Sequence, residues 1–288
     1  MESYKIKHGN LCLELSLVDL ENLHLHEEVI PKLVDQLAQS IVKDGVLRHP
    51  AMVDRESLVV LDGMHRVAAL RRIGCHRMPV CLVDYSDPAI GIFGWYRMLK
   101  GTEVEKRAVE SAREVGLTLK ASTCDEGMKA LETRTADALL VTREGCLQVI
   151  DSDGDVRLAF AVVKKLESQL VKSGLEVEYE TASDAETRLR NGKADMILAT
   201  PPIGKNDVIN QGKRDEPFPP KMTRHTVPAR PLEIDVPLAL LRNGTLTSEE
   251  ANRRFLEMLN SRKLQRIPPG SVIEGRRYDE EVYLFSST

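Results

Sequence analysis

The sequence is poor in aromatic residues and carries no excess of basic charge. Phe, Trp and Tyr make up 4% of its 288 residues, so a core must be built mainly from Leu, Val, Ile and Ala. Lys and Arg number 40 against 44 Asp and Glu, which gives a formal charge of −4 at pH 7. Dedicated nucleic-acid-binding proteins usually carry a basic stripe. The balance of charge therefore predicts that nucleic acid is not a partner.

Long apolar segments are also missing. No run approaches the roughly 18 apolar residues of a transmembrane helix, which predicts no membrane partner. The opening MESYKIKHGN lacks the apolar stretch of a signal peptide. The five cysteines are scattered and none forms a C-x-x-C pair, so reduced, mostly buried thiols are the simplest interpretation. We therefore expect a cytoplasmic protein.

Hydrophobic periodicity in residues 1–100 predicts a compact α/β domain. One helix begins at Pro31, which has no N–H to donate, and ends before Gly45. The other elements predicted in this part are strands at 11–18, 50–54, 57–61 and 78–83 and helices at 67–73 and 88–99.

Residues 101–288 have the pattern of a second mixed α/β domain. The elements predicted there are helices at 103–115, 125–133, 155–173, 184–191 and 248–262 and strands at 136–142, 146–150, 175–180, 195–199 and 281–285. Capping boxes, Ser183 with Glu186 and Thr247 with Glu250, mark two helix starts. Residues 200–221, rich in Pro, Gly and polar side chains, predict a long loop. The predicted fold class is α/β (α+β) in two domains.

The sharpest local signal is the turn from strand to helix in SLVVLDGMHRVAAL. The strand ends at Leu61 and the helix begins near His65 and Arg66, so unpaired N–H groups and the helix dipole favour an anion there. Gly63 permits close approach of a ligand, and Arg suits phosphate. Asp62 is a candidate ligand for a divalent metal. The alternative is a plain turn with Arg66 in a surface ion pair.

A second cluster, HLHEE, precedes the helix that begins at Pro31. Glu27 and Glu28 either complement the dipole of that helix or supply a general base. His24 and His26 suggest a metal site, but no third ligand has suitable spacing.

A third cluster, FPPKMTRHTVPARP at 218–231, places Lys221, Arg224, His225 and Arg230 on a chain stiffened by prolines. Such a segment suits an anionic group held in fixed geometry, or packs as an extended surface strand.

The sequence Gly74-Cys75-His76-Arg77 copies the signature of sulfiredoxins, but it follows a helix and precedes a strand. Its positional equivalent at the anion site is Gly63–Arg66, where Met64 replaces the reactive cysteine. A thioether cannot act as a thiolate nucleophile, so we expect Cys75 not to be catalytic.

Residues 15–85 resemble the ParB/sulfiredoxin superfamily, on the helix that ends at Gly45, Pro50, VVLDG and the G-x-x-R at Gly63–Arg66. Together with HEE, LDGMHR and PPKMTRHTVPARP, the chain resembles free L-serine kinases, including the PPGSVIEGRRY tail of the archaeal type. The resemblance implies phosphorylation of free L-serine to O-phospho-L-serine with Mg²⁺ and a nucleotide donor. The tail favours ADP over ATP as that donor, and the product would feed cysteine or related biosynthesis.

The resemblance also implies a role for each domain. Residues 1–100 become the nucleotide- and metal-binding domain, and residues 101–288 contain a substrate-binding arm at 217–231 and a helix–strand tail. The implied catalytic residues are Glu27 as base, with Glu28 as the alternative, and Asp62, which also lies near the metal. The implied nucleotide- and phosphate-binding residues are Gly63, Met64, His65 and Arg66, and the implied substrate-binding residues are Thr223, Arg224 and His225.

One position departs from the kinase pattern, because Met64 stands where these kinases often carry a second His. The main alternative function is a ParB-like nucleotide-binding regulator without kinase activity. Such a regulator needs a helix-turn-helix or a basic face, and the sequence indicates neither. A third possibility is a kinase fold that serves as a sensor with little turnover. The oligomeric state is left open.

Overall fold

A computed structural model describes residues 2–214 and 216–286, and the chain forms two compact units. The first unit contains the chain up to Gly91, Val208–Pro217 and the chain from His225 onwards. The second unit contains Ile92–Asp207 and Phe218–Arg224. The elements that contain or adjoin the boundaries are strand β8 (Gly91–Gly94), helix α7 (Lys205–Lys213) and strand β15 (Thr223–Thr226).

The first unit is built on a mixed sheet with the strand order β1-β2-β7-β5-β6-β3. These strands are β1 (Tyr4–His8), β2 (Leu11–Asp19), β3 (His24–Leu25), β5 (Ala51–Asp54), β6 (Val59–Asp62) and β7 (Arg77–Val83). Alternation along β2 puts Leu11, Leu13 and Leu15 in the core. Strand β3, at one edge of the sheet, runs parallel to its neighbour β6, so these two strands end on the same side of the sheet.

Two helices of the first unit pack together beside this sheet, α1 (Pro31–Asp44) and α2 (Met64–Arg72). Helix α1 buries one stripe, Val34, Ala38 and Ile41, and ends at Gly45 in a left-handed conformation. The predicted start at Pro31 is confirmed.

The C-terminal part of the chain belongs to the first unit. Its elements, together with the short strand β4 (Val46–Leu47), are β16 (Ala229–Leu232), β17 (Val236–Pro237), α8 (Leu238–Leu241), α9 (Ser248–Asn260), β18 (Lys263–Ile267), β19 (Val272–Ile273), β20 (Arg276–Arg277) and β21 (Glu281–Ser286). Strand β21 pairs with β16 and β18, and β17 pairs with β4. Asn252 on α9 accepts hydrogen bonds from the Ser16 hydroxyl and the Leu17 N–H of β2.

The second unit is a sheet with the order β10-β12-β11-β14-β9-β13, packed with helices. Its strands are β9 (Tyr96–Lys100), β10 (Thr118–Ser122), β11 (Ala138–Val141), β12 (Cys146–Ile150), β13 (Glu176–Glu180) and β14 (Met196–Ala199). Its helices are α3 (Val104–Glu114), α4 (Cys124–Glu132), α5 (Val156–Lys172) and α6 (Ala182–Arg190). Arg97 lies fully buried in this unit, where it forms a 2.7 Å ion pair with Glu167.

The mixed α/β class is confirmed, but several local predictions are corrected. Residues 88–99 do not form a helix, because Pro88 and two glycines interrupt it and 96–100 pair with β13 and β14. Helix α6 begins two residues early, capped by Thr181 instead of Ser183. The segment 200–221, predicted to be a loop, contains helix α7. Asp215 in this segment lies outside the described residues.

The compact units also differ from the division predicted at residue 100. Residues 225–286 pack with the N-terminal sheet, because strand pairing and the contacts of α9 connect segments that are distant in sequence. In the described part of the chain, no helix is both long and apolar enough to cross a membrane.

Candidate active site

The parallel pairing of β3 with β6 brings the first two predicted motifs together. His24 lies opposite Val59 and Leu25 opposite Val60. Glu27 follows β3 by two residues, and Asp62 is the last residue of β6, so both residues lie where the two parallel strands end. Glu27 is buried and Glu28 is half-buried. The edge where two parallel strands end thus carries the predicted acidic residues.

Gly63 makes the turn between β6 and α2 and has a φ of 101°, which favours glycine. A Cβ atom added at Gly63 would lie 2.6 Å from Nη2 of Arg66 and 3.1 Å from Cβ of Ala51. The guanidinium of Arg66 therefore folds back over the turn. Its Nε is buried and has no hydrogen-bond partner within the described residues, so the site holds a cationic donor without an assigned acceptor.

Asp62 lies between two arginines. Nη1 of Arg230 donates a 2.8 Å hydrogen bond to Oδ2 of Asp62, and Nη2 of Arg66 lies 3.6 Å from the same oxygen. Nε of Arg230 pairs with Glu280. Partial removal from water opposes ionisation of Asp62, but the charges of Arg66 and Arg230 outweigh it and hold its pKa well below the usual range. The Asp62 side chain is 42% exposed, so the carboxylate remains accessible.

A narrow cavity beside this ion-pair cluster is lined by three arginines and a histidine. His49, Arg66, Arg230 and Arg276 line it, with Tyr278 among the remaining lining residues. Burial and the positive charge of Arg66 and other arginines lower the pKa of His49 to about 4. The three arginines in the cavity wall make the local potential positive, which suits an anionic ligand.

His65 connects α2 to the start of α1. The backbone N–H of Ile30 donates a 3.1 Å hydrogen bond to Nε2 of His65. In the neutral ring the proton is then on Nδ1. The contact fixes the Glu27–Glu28 segment relative to the Gly63–Arg66 turn, because Ile30 lies only two residues beyond Glu28.

His225, from the third motif, lies in the first unit beside the first motif. Its ring centroid is 5.3 Å from that of His26, and its Nε2 shares a 2.8 Å hydrogen bond with the Tyr85 hydroxyl. His26 itself is fully buried and donates from Nδ1 to the carbonyl of Val60. Burial lowers the pKa of His26 to about 4, although this hydrogen bond acts in the opposite direction. His26 is therefore neutral near pH 7.

Thr223 and Arg224 belong to the second unit. Nε1 of Trp95 donates a 3.0 Å hydrogen bond to the carbonyl of Thr223, and the Arg224 guanidinium lies 5.5 Å from the centre of the Trp95 ring. Lys221 lies over the same ring at 5.9 Å. These distances are typical of cation–π contacts. The three predicted substrate-binding residues are thus divided, with only His225 in the first unit.

The structure brings together Glu27, Glu28, Asp62, Gly63, His65, Arg66 and His225 in the first unit, with Met64 as the first residue of α2. Sequence reasoning noted Arg230 without pairing it to Asp62, and it missed His49, Tyr85, Arg276, Tyr278 and Glu280.

Among residues 2–214 and 216–286, no group of three or more His, Cys, Asp or Glu side chains is arranged to hold a metal ion. Cys75 is buried after the end of α2, away from the turn at Gly63.

Comparisons with known proteins place these observations in context. No family model matches the chain. An ATP-dependent L-serine kinase of Staphylothermus marinus is 27% identical over 236 residues, covering 80% of this chain and 92% of that protein. An ADP-dependent L-serine kinase of Thermococcus kodakarensis is 26% identical, covering 77% of this chain and 90% of that protein. A solved structure of a free serine kinase variant in complex with AMP is 25% identical, with a TM-score of 0.70, and covers 80% of this chain and 94% of that one.

The fold is that of a mixed α/β protein, with an arginine-lined turn at the start of a helix. Within that class, the chain is a relative of the nucleotide-dependent L-serine kinases and has the fold of the free serine kinase. The resemblance inferred from the three motifs is therefore confirmed.

Proposed function

We propose that this protein transfers a phosphoryl group from a nucleotide to the hydroxyl of free L-serine and produces O-phospho-L-serine. The observation that carries the proposal is that β3 and β6 are parallel and end on the same side of the sheet. Glu27 and Asp62 lie at these two strand ends, and Arg66 lies beside Asp62. The similarity to L-serine kinases over most of the chain supports the same activity.

Glu27 is the proposed general base. Phosphoryl transfer depends mainly on positioning and on neutralising phosphate charge, and a carboxylate accepts the hydroxyl proton as the new bond forms. The burial of Glu27 limits its mobility. The hydrogen bond between Ile30 and His65 holds the Glu27–Glu28 segment beside the turn at Gly63–Arg66. Glu28, one residue later, is the alternative base.

The first unit is the proposed nucleotide-binding unit. The first turn of α2 presents backbone N–H groups beyond Gly63, and His65 and Arg66 are the side chains proposed to bind phosphate there. The lining arginines Arg230 and Arg276 raise the positive potential around these donors. Met64 contributes its backbone at the first helical position, so the absence of a second His there leaves the anion site intact.

Asp62 fits a role in holding Mg²⁺, because it is accessible, ionised and offers hard oxygen ligands. A single protein carboxylate suits Mg²⁺, which commonly takes its other ligands from water and substrate phosphates. The ion would neutralise phosphate charge during transfer. The arginine pair on Asp62 fixes the orientation of the carboxylate.

The arm at 217–231 is the proposed binding segment for the amino acid. Arg224 offers two parallel hydrogen bonds to a carboxylate, and Thr223 and His225 add polar groups beside it. Free serine has a carboxylate that a serine within a protein lacks, so Arg224 provides the selectivity. The phosphoserine product would supply cysteine or related biosynthesis.

The test is an assay of the full chain with L-serine, Mg²⁺ and either ADP or ATP, followed by detection of phosphoserine by mass spectrometry. We expect phosphoserine with at least one nucleotide and its disappearance without serine or with EDTA. The donor that supports turnover decides between ADP, favoured by the tail, and ATP. Nucleotide binding without any phosphoserine would instead favour a ParB-like regulator or a sensor.

A further inference from the structure

A pair of cysteines in the second unit lies outside the proposed kinase site. Sγ of Cys124 and Sγ of Cys146 are 2.7 Å apart, well inside the ~3.5–4.0 Å of ordinary contact between heavy atoms. The two residues are 22 positions apart in the sequence. Neither thiol has a part in the proposed transfer of phosphate.

The backbone around both cysteines is held in place. Cys146 is the first residue of β12 and lies opposite Ser122, the last residue of β10. Two residues later Cys124 begins α4, whose start is fixed by the reciprocal capping of Thr123 and Glu126. On the other side, the N–H and the hydroxyl of Thr142 both donate to the carbonyl of Gly145, directly before Cys146. Both sulfurs therefore meet without a movement of the chain.

The two thiols differ in exposure. Cys124 is exposed, whereas Cys146 is buried, and burial together with the neighbouring Cys124 thiol raises the pKa of Cys146 to about 12. A reagent in solution reaches Cys124 first. Cys146 then lies next to the sulfur that the reagent has modified.

We propose that Cys124 and Cys146 form a reversible disulfide when a small-molecule disulfide such as oxidised glutathione is present. The Cys124 thiolate attacks one sulfur of the oxidant, breaks its S–S bond and releases one glutathione thiolate. The Cys146 thiol gives its proton to solvent base, and its sulfur attacks Sγ of Cys124. The second glutathione leaves, so two protein thiols are oxidised and one oxidant disulfide is reduced to two thiols.

The bond would join the start of α4 to the start of β12. A cross-link over this separation restricts the unfolded chain more than the folded one, so it stabilises the second unit. We expect the midpoint of thermal unfolding of that unit to rise on the order of 5–10 °C after oxidation. The modification is independent of the kinase reaction, so it is tested without an activity assay.

The experiment incubates the full reduced chain with oxidised glutathione, blocks remaining thiols and digests with trypsin. We expect a loss of two hydrogen atoms from the intact mass and a cross-linked pair of peptides, 121–129 with 144–157. Dithiothreitol should restore the original mass. Cys12→Ser, a control in the first unit, should leave the reaction unchanged.

Variants identify the order of attack. In Cys146→Ser the reaction should stop at a stable glutathione adduct on Cys124, and in Cys124→Ser neither position should react. Three results would overturn the proposal: an unchanged wild-type mass, a lasting glutathione adduct in the wild type, or a cross-link that includes another cysteine. These results come from the wild-type protein, so they hold even where a variant folds poorly.

Discussion

Arg230 donates a direct hydrogen bond of 2.8 Å to Asp62, although the two residues are 168 positions apart in the sequence. The bond joins the C-terminal arm to the end of β6. Because Arg230 also pairs with Glu280, one guanidinium connects three segments of the first unit. The charge state of Asp62 therefore depends on a residue contributed late in the chain.

Replacing Arg230 with Met should destabilise the first unit by about 1–3 kcal/mol, the usual cost of leaving a partly buried charge without its partner. Urea-induced unfolding measures this difference. The matched control is Arg277→Met, whose ion pair with Asp279 is exposed on both sides and should give no measurable change. Equal stability of Arg230→Met and the wild type would contradict a supporting role of Arg230.

Glu27→Gln should lower kcat for phosphoserine formation by about 10²-fold or more, because a general base typically contributes this much. Nucleotide affinity, measured by calorimetry, should stay nearly the same. Glu28→Gln is the control. Loss of activity only in Glu28→Gln would move the base by one residue, and full activity in both variants would exclude an acidic base in this segment.

Gly63→Ala should weaken nucleotide binding by roughly tenfold or more, because its Cβ would displace the guanidinium of Arg66. Gly74→Ala is a matched control: Gly74 also has a positive φ, 73°, but nothing lies within 4 Å of its added Cβ. Both variants should lose about 1–2 kcal/mol of stability from backbone strain. Only Gly63→Ala should lose nucleotide affinity. Equal affinities in the two variants would show that the position of the Arg66 guanidinium does not matter for nucleotide binding.

The buried His26 should make stability depend on pH. Histidine in the unfolded chain ionises near pH 6.5, whereas burial lowers the pKa of His26 to about 4. Between these values the unfolded state binds more protons, so stability falls as the pH is lowered from about 6.5 towards 4, by about 3 kcal/mol from this residue. His49, with a pKa of about 4, acts in the same direction.

The measurement is urea unfolding at about pH 7.5 and about pH 5, where the unfolded histidine is mainly neutral or mainly charged. The difference between the two free energies of unfolding should be clearly smaller in His26→Gln than in the wild type. The same difference in both proteins would assign the pH dependence to other groups.

Arg224→Ala should raise the KM for serine tens-fold or more, because losing a charged partner costs about 2–5 kcal/mol in a desolvated site. The nucleotide KM should change less. Lys221→Ala, which removes the other cation on the Trp95 ring, is the control. Serine amide, which lacks the carboxylate, should be a poor substrate for the wild type. The wild type and Arg224→Ala should have similar activity with it. If Arg224→Ala keeps its serine KM and loses nucleotide affinity, then Arg224 binds the nucleotide phosphates and its assignment to the serine carboxylate is wrong.

The turn from β6 into α2 was predictable from the sequence, because a strand, Asp62-Gly63 and a helix follow one another within a few residues. The start of α1 at Pro31 and the capping box at Thr247 were predictable for the same local reason. Residues 88–99 were misassigned because their pairing partners, β13 and β14, lie far away in the sequence. The partnership of Arg230 with Asp62 and the place of His49 and Arg276 also depend on long-range packing, which periodicity does not encode.

The first unit is assembled from segments at both ends of the chain, and this has a consequence for synthesis. During translation Asp62 emerges early, but Arg230 and Glu280 are added only after the whole second unit has been made. While the second unit is being made, Asp62 and Arg66 are therefore present without Arg230. A fragment of residues 1–100 would contain Glu27, Asp62 and Arg66 and still lack the arginine that orients the carboxylate.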